Sequence, residues 1–124
     1  MKALGPSLVL MVAMTCLGSS QASELVDSGR DLFKRACATC HSVEKGQEHR
    51  QGPNLWAVLG RPAGQSLGFA YSAAFKDTKI VWDVKSIDKW LADPQEVLPG
   101  NVMTYAQRNP ERREMIIEYL KTMR

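Results

Sequence analysis

The five residues Cys37-Ala38-Thr39-Cys40-His41 constrain this chain more than any other stretch, because they concentrate two of its three cysteines and one of its two histidines. Two thiols three positions apart, with an imidazole beside the second, suit a redox dithiol, a metal knuckle or a point of covalent attachment. A thioredoxin-like dithiol opens a helix that follows a strand. Here the motif follows a helical pattern instead. A structural zinc site needs four ligands, and downstream of the motif the chain has no further cysteine and only His49 as another imidazole.

The same C-x-x-C-H spacing is the attachment signature of c-type haem. Each thiol can add to one vinyl group on a haem edge, and the adjacent His41 can then swing beneath the iron. This reading also consumes both thiols, which matters because of how the chain begins. Met1-Lys2 is a minimal charged start, Leu4 to Leu17 is apolar apart from Gly5, Pro6, Ser7 and Thr15, and Ser20-Gln21-Ala22 gives a small-residue cleavage pattern. Residues 1–22 therefore read as a cleaved secretory signal peptide and 23–124 as one domain, with the periplasm as the expected location. The apolar run is too short and broken to span a membrane, which takes roughly 18 or more apolar residues. A lipidated Cys16 is disfavoured because Ala13-Met14-Thr15 lacks a small residue directly before it. An exported chain would ordinarily pair its cysteines; two thioethers explain why this one need not.

The 124 residues carry 16 basic and 13 acidic side chains, formally +3. Lys2 is the only charged residue of the leader, so the expected mature charge is +2. That balance gives no basis for nucleic-acid binding. Three helical segments are predicted. Ser28 to Ala36, capped by Ser28 or Asp27, carries an apolar stripe of Leu32, Phe33 and Ala36. Ser86 to Asp93 has Ser86 as N-cap, with Ile87, Trp90 and Leu91 on one face and Pro94 ending it. The last starts at Asn109 and Pro110, with Met115, Ile116, Tyr119, Leu120 and Met123 as its stripe. A helical turn at Ser72 to Lys76 is weaker, no segment alternates as a strand, and the rest is loop. The expected fold class is therefore all-α, three to four short helices and loops wrapped around one covalently attached haem. Helices this few and short bury little apolar surface against chain entropy; the porphyrin supplies the missing core.

With His41 on one side of the iron, the other axial position has four candidates after the leader: His49, Met103, Met115 and Met123. Met115 and Met123 lie on a helix stripe, where methionine is ordinarily core filler. His49, between Glu48 and Arg50, reads as a solvated surface histidine. Met103 follows the turn Pro99-Gly100-Asn101-Val102, and no apolar periodicity claims it. A thioether ligand there would give six-coordinate iron with a raised potential.

In their order and spacing, these pieces resemble class I c-type cytochromes, and more narrowly the mitochondrial cytochrome c and bacterial cytochrome c2 group. The match runs from Gly29 to Leu120: Gly29 with Phe33, the motif at 37–41, Gly52-Pro53-Asn54-Leu55, Gly60-Arg61, Gly68 to Ser72, Trp82, Pro99-Gly100 before Met103, and Tyr119-Leu120. The resemblance implies that the Pro53 carbonyl accepts from the second nitrogen of His41, orienting the ring and raising its basicity. It implies that Tyr71, Trp82 and Arg61 surround the haem propionates, and that the first and last helices cross at Gly29 with Phe33 against Tyr119-Leu120. The sequence departs from the commonest mitochondrial pattern at Phe75, Trp90, Asn101, Val102 and Tyr105. Trp90 can donate one N–H towards the methionine sulfur but cannot accept, and Phe75 removes a polar partner.

The implied function is that of a soluble, monomeric monohaem electron carrier, not an enzyme and not membrane-embedded. It would take electrons from a membrane complex such as cytochrome bc1 and pass them to an oxidase, a reaction centre or a periplasmic oxidoreductase. Lys34, Arg35, Lys45, Arg50 and Lys79 would either form a positive rim at the attachment edge or belong to a mixed solvated surface. A weak peroxidase and a gas-binding sensor are the competing classes, and both require Met103 to be labile.

Overall fold

The computed structural model describes residues 18–124, so most of the expected leader lies outside the described residues. Four helices follow in order: α1 (Gly18–Ala36), α2 (Val84–Ala92), α3 (Pro94–Val97) and α4 (Pro110–Lys121), with one 3-10 turn at Ala73–Phe75 between α1 and α2. No strand occurs among the described residues. A single antiparallel bridge, Pro62 with Val81, ties the 60–68 loop to the approach of α2. This is the expected small all-α fold.

Helix α1 is longer than its predicted start at Ser28 or Asp27. It runs N-terminally past both residues to Gly18, so neither caps it; the Asp27 carboxylate bonds Arg30 one turn on instead, at 2.8 Å. The expected cleavage after Ala22 falls within its first turns. Lys34 and Arg35 end the helix favourably for its dipole. The Phe33 carbonyl then accepts from both Cys37 N–H (2.8 Å) and Ala38 N–H (2.9 Å), closing the last turn directly into the cysteine motif.

Helix α2 is capped by Asp83, not Ser86. Asp83 accepts from Ser86 N–H while the Ser86 hydroxyl accepts from Asp83 N–H, so Ser86 is the reciprocal partner of a capping box. Pro94 does end α2, but its fixed φ also opens α3, where Asp93 accepts from Gln95 and Glu96 N–H. That short helix was not anticipated. α4 starts as predicted, with Asn109 accepting from Arg112 N–H and Pro110 in the first turn.

Helix α1 crosses α4 at Gly29. A Cβ there would overlap the Met115 carbonyl and stand 2.9 Å from Tyr119 Cβ, so only glycine permits this approach. Phe33 packs on Tyr119 beside the crossing, with ring centroids 5.5 Å apart. On α4 the buried face is Ile116, Ile117, Tyr119 and Leu120; Met115 turns out of it and Ile117 takes its place, a shift of the predicted stripe. Arg113 ties α4 to α2 through Asp88 at 2.7 Å. Gly29→Ala forces the two backbones apart, and we expect a loss of roughly 3 kcal/mol or more in the unfolding free energy of the holoprotein, measured by denaturant titration.

Candidate haem site

The last turn of α1 delivers three reactive side chains together. Cys40 N–H and His41 N–H both bond the Cys37 carbonyl, at 3.0 and 2.9 Å. Cys37, Cys40 and His41 therefore sit on one tight turn and line one cleft. The cleft encloses a cavity of about 200 Å³ that opens to solvent. The same cleft is lined by Phe33, Leu55, Val58, Ile87, Leu91 and Ile116, and by Trp82, Trp90 and Met103.

His41 is held hard. The Pro53 carbonyl lies 2.8 Å from Nδ1, and since a carbonyl can only accept, Nδ1 carries the proton. Nε2 is then the bare nitrogen. Burial pushes the His41 pKa below its ordinary value, partly offset by the Pro53 bond, which favours the neutral ring that can ligate a metal. Gly52 leaves the ring its space: a Cβ there would lie 2.6 Å from Nδ1 and 2.8 Å from Nε2. The sequence offers Gly52 only as part of a matched segment; the contact with the His41 ring is the physical reason for glycine.

Burial, with the neighbouring Cys40, pushes the Cys37 thiol up to about 11. Catalytic dithiols work through a lowered thiol pKa, so this thiol is a poor redox nucleophile. No cluster of three or more metal-binding His, Cys, Asp or Glu occurs among the described residues.

Of the axial candidates, Met103 lines the cleft. His49 does not, nor do Met115 and Met123. Met115 faces an outer groove between α1 and α4, and Met123 packs against the core. His49 is not a solvated histidine: it is half-buried, with Nε2 donating to the Leu67 carbonyl at 2.8 Å and Nδ1 accepting from Asn54 N–H at 2.9 Å. It pins two loops together.

Arg61, Tyr71 and Trp82 line the cleft together. The Arg61 guanidinium donates to the Asn54 carbonyl at 3.0 Å, and burial lowers its pKa from the ordinary value. The Tyr71 hydroxyl accepts from Ser66 N–H at 3.1 Å, leaving its own proton free to donate. Beside it, Ser72 Oγ is buried without a hydrogen-bond partner while lining the cleft. Leaving such a hydroxyl unpaired costs about 1–3 kcal/mol, so the site fits a group that brings acceptors to this corner. In the sequence Ser72 closes a matched segment and starts a turn, and neither position gives its hydroxyl a role.

Around Phe75 and Trp90, where the sequence removes polar partners, aromatic rings meet. Tyr71 lies 4.9 Å from Phe75, Phe75 5.8 Å from Trp90, and Trp90 5.3 Å from Trp82, centroid to centroid. Such pairs contribute about 0.5–1.5 kcal/mol each beyond area burial. The Trp90 indole N–H points at the Met103 sulfur, 3.1 Å away.

A turn carrying two thiols and an imidazole, sharing a mainly apolar cleft with a methionine, fits a covalently held macrocycle. Residues 26–124 match the family profile described as Cytochrome c. This chain belongs to the cytochrome c family. It is 40% identical to a cytochrome c of Chlamydomonas reinhardtii over 109 residues, covering 87% of this chain and 96% of that one. Identity is also 40% with cytochrome c of Guizotia abyssinica over 95 residues (76% and 86% of the two chains) and of Sesamum indicum over 97 residues (77% and 87%). As a member of this family the chain carries one c-type haem, bound covalently through Cys37 and Cys40.

Among the exposed residues at the cleft mouth are Gln51, Val102 and Thr104, none of them charged, and Val102 is 74% exposed. Lys34, Arg35, Lys45, Arg50 and Lys79 do not line the cleft, and the Arg50 guanidinium is engaged by the Ala38 carbonyl at 2.6 Å. Trp90→Phe removes the N–H donated to Met103 while keeping an aromatic ring. We expect haem attachment to persist and the reduction potential to fall by roughly 20–40 mV, the equivalent of one weak hydrogen bond at about 59 mV per tenfold; redox titration of both proteins measures it.

Proposed function

We propose that this cytochrome c family member is a monohaem electron carrier in which His41 Nε2 and Met103 Sδ are the two axial ligands of the iron. The haem supplies a one-electron couple. The chain's own residues hold it at one potential: Pro53 fixes the His41 tautomer, Trp90 holds the Met103 sulfur, and Arg61, Tyr71, Trp82 and Ser72 receive the propionates. The observation that carries the reading is the placement of Met103: it lines the cleft that His41 lines, with its sulfur already oriented by an indole N–H.

Two protein ligands leave no position for a substrate, which favours electron relay over chemistry on a bound molecule. The peroxidase reading needs an acid–base group in the cleft, and the one further imidazole among the described residues, His49, is committed to two backbone partners outside it. Near-infrared absorption of the ferric protein tests the ligand set. The methionine-to-iron charge-transfer feature should be present, absent in Met103→Ala, and retained in Met115→Ala.

The proposed setting is the periplasm, reached through cleavage after Ala22, with a cytochrome bc1-type complex as donor and an oxidase, reaction centre or periplasmic oxidoreductase as acceptor. The charged start and short apolar run of residues 1–17 support export. No described helix is long and apolar enough to cross a membrane. The exposed lining residues Gln51, Val102 and Thr104 carry no charge, which suits a small, short-lived encounter in which apolar contact outweighs charge pairing. N-terminal sequencing of the protein recovered from a bacterial periplasm should begin at Ser23; a chain that retains Met1 in the membrane fraction would overturn export by cleavage.

A further inference from the structure

Met103 is gripped at two ends. Its sulfur accepts from Trp90, and its backbone N–H donates to the Asn101 side-chain oxygen at 2.8 Å. The same Asn101 amide turns its NH2 back on α3, donating to the Pro94 carbonyl at 2.8 Å and the Leu98 carbonyl at 2.7 Å. Asn101 is one of four buried polar residues among those described, 7% exposed, although its neighbours Gly100 and Val102 are exposed. From outside, Gln95 of α3 closes the loop: its Nε2 donates to the Asn101 carbonyl at 2.8 Å and its Oε1 accepts from Gly100 N–H at 3.2 Å. Gly100 makes the turn with φ +85°, a conformation that glycine adopts without strain.

We infer that Asn101 is a positioning residue that latches the Met103 loop to α3, and so keeps the iron closed to small gaseous ligands. The inference rests on the reading of Met103 as axial ligand and adds what holds it there. The chemistry is particular to an amide. Asn101 uses both hydrogens of its NH2 on helix-end carbonyls and its oxygen on the Met103 N–H. Aspartate keeps the acceptor but loses the donors, and serine can accept from the residue two positions on while donating only once. The Pro94 and Leu98 carbonyls also receive backbone N–H groups, from Leu98 and Asn101 respectively, so removing the amide unlatches the loop without orphaning them.

The test is CO uptake by the ferrous holoprotein, followed by stopped flow, alongside the near-infrared feature of the ferric form and amide hydrogen exchange at Met103. Asn101→Ala should take up CO about tenfold faster or more, the factor expected when the three side-chain hydrogen bonds of Asn101 are lost. It should also weaken the near-infrared feature and speed exchange at Met103, with Asn101→Ser between it and wild type. Should Asn101→Ala not accumulate as holoprotein, Gln95→Ala, which removes only the outer brace at an exposed position, should still raise uptake about two- to fivefold. An intact near-infrared feature and wild-type CO kinetics in both Asn101→Ala and Gln95→Ala would overturn the latch and leave Met103 standing as ligand. A wild-type protein that lacks the feature and binds CO at once would overturn the ligand assignment, and the latch with it.

Discussion

The close approach of α1 and α4 at Gly29 is the contact on which the rest of the molecule depends. Because the Met115 carbonyl occupies the place of a side chain at position 29, the two helices touch backbone to backbone, and Phe33 reaches Tyr119. α1 then ends at a fixed point above the core. Its last turn runs without a break into Cys37, Cys40 and His41, so the orientation of the attachment motif is inherited from a helix crossing rather than from the motif itself. α4 passes the constraint on to α2 through Arg113 and Asp88, and α2 carries Trp90.

Around that frame the loops are held by side chains rather than by regular structure. His49 joins Asn54 to Leu67, and Asn54 in turn donates to the Glu44 and Gln47 carbonyls. Asn101 joins the Met103 loop to α3. A chain with four helices and no described strand must satisfy many loop carbonyls and amides somehow, and buried amides and an imidazole do so here. The same bonds position the faces of the cleft, so stabilising the loops and shaping the haem environment are one task.

Much of the site could be read from the order of residues. C-x-x-C-H carries its chemistry in its spacing, and Met103 stood apart because no helix stripe claimed it. The start of α4 was legible because an Asn-Pro pair followed by Glu has one good use in a helix. What could not be read was anything set by a distant partner. Asp27 looked like a cap until Arg30 engaged it, Ser86 looked like a cap until Asp83 took that place, and Pro94 looked like a stop although it also begins α3. His49 looked solvated because its sequence neighbours are charged, yet its ring bonds a carbonyl eighteen residues away.

The sequence by itself determined the family, the covalent haem and the two cysteines that hold it, because covalent attachment demands fixed residue types at fixed spacing. Only the tertiary structure decided that the Trp90 indole donates to the Met103 sulfur, that Ser72 brings an unpaired hydroxyl to the cleft, that the exposed residues lining the cleft carry no charge, and that Asn101 ties the Met103 loop to α3. Those are relations between segments far apart in the chain, and burial and hydrogen-bond geometry bring them together, which no local pattern of residues encodes.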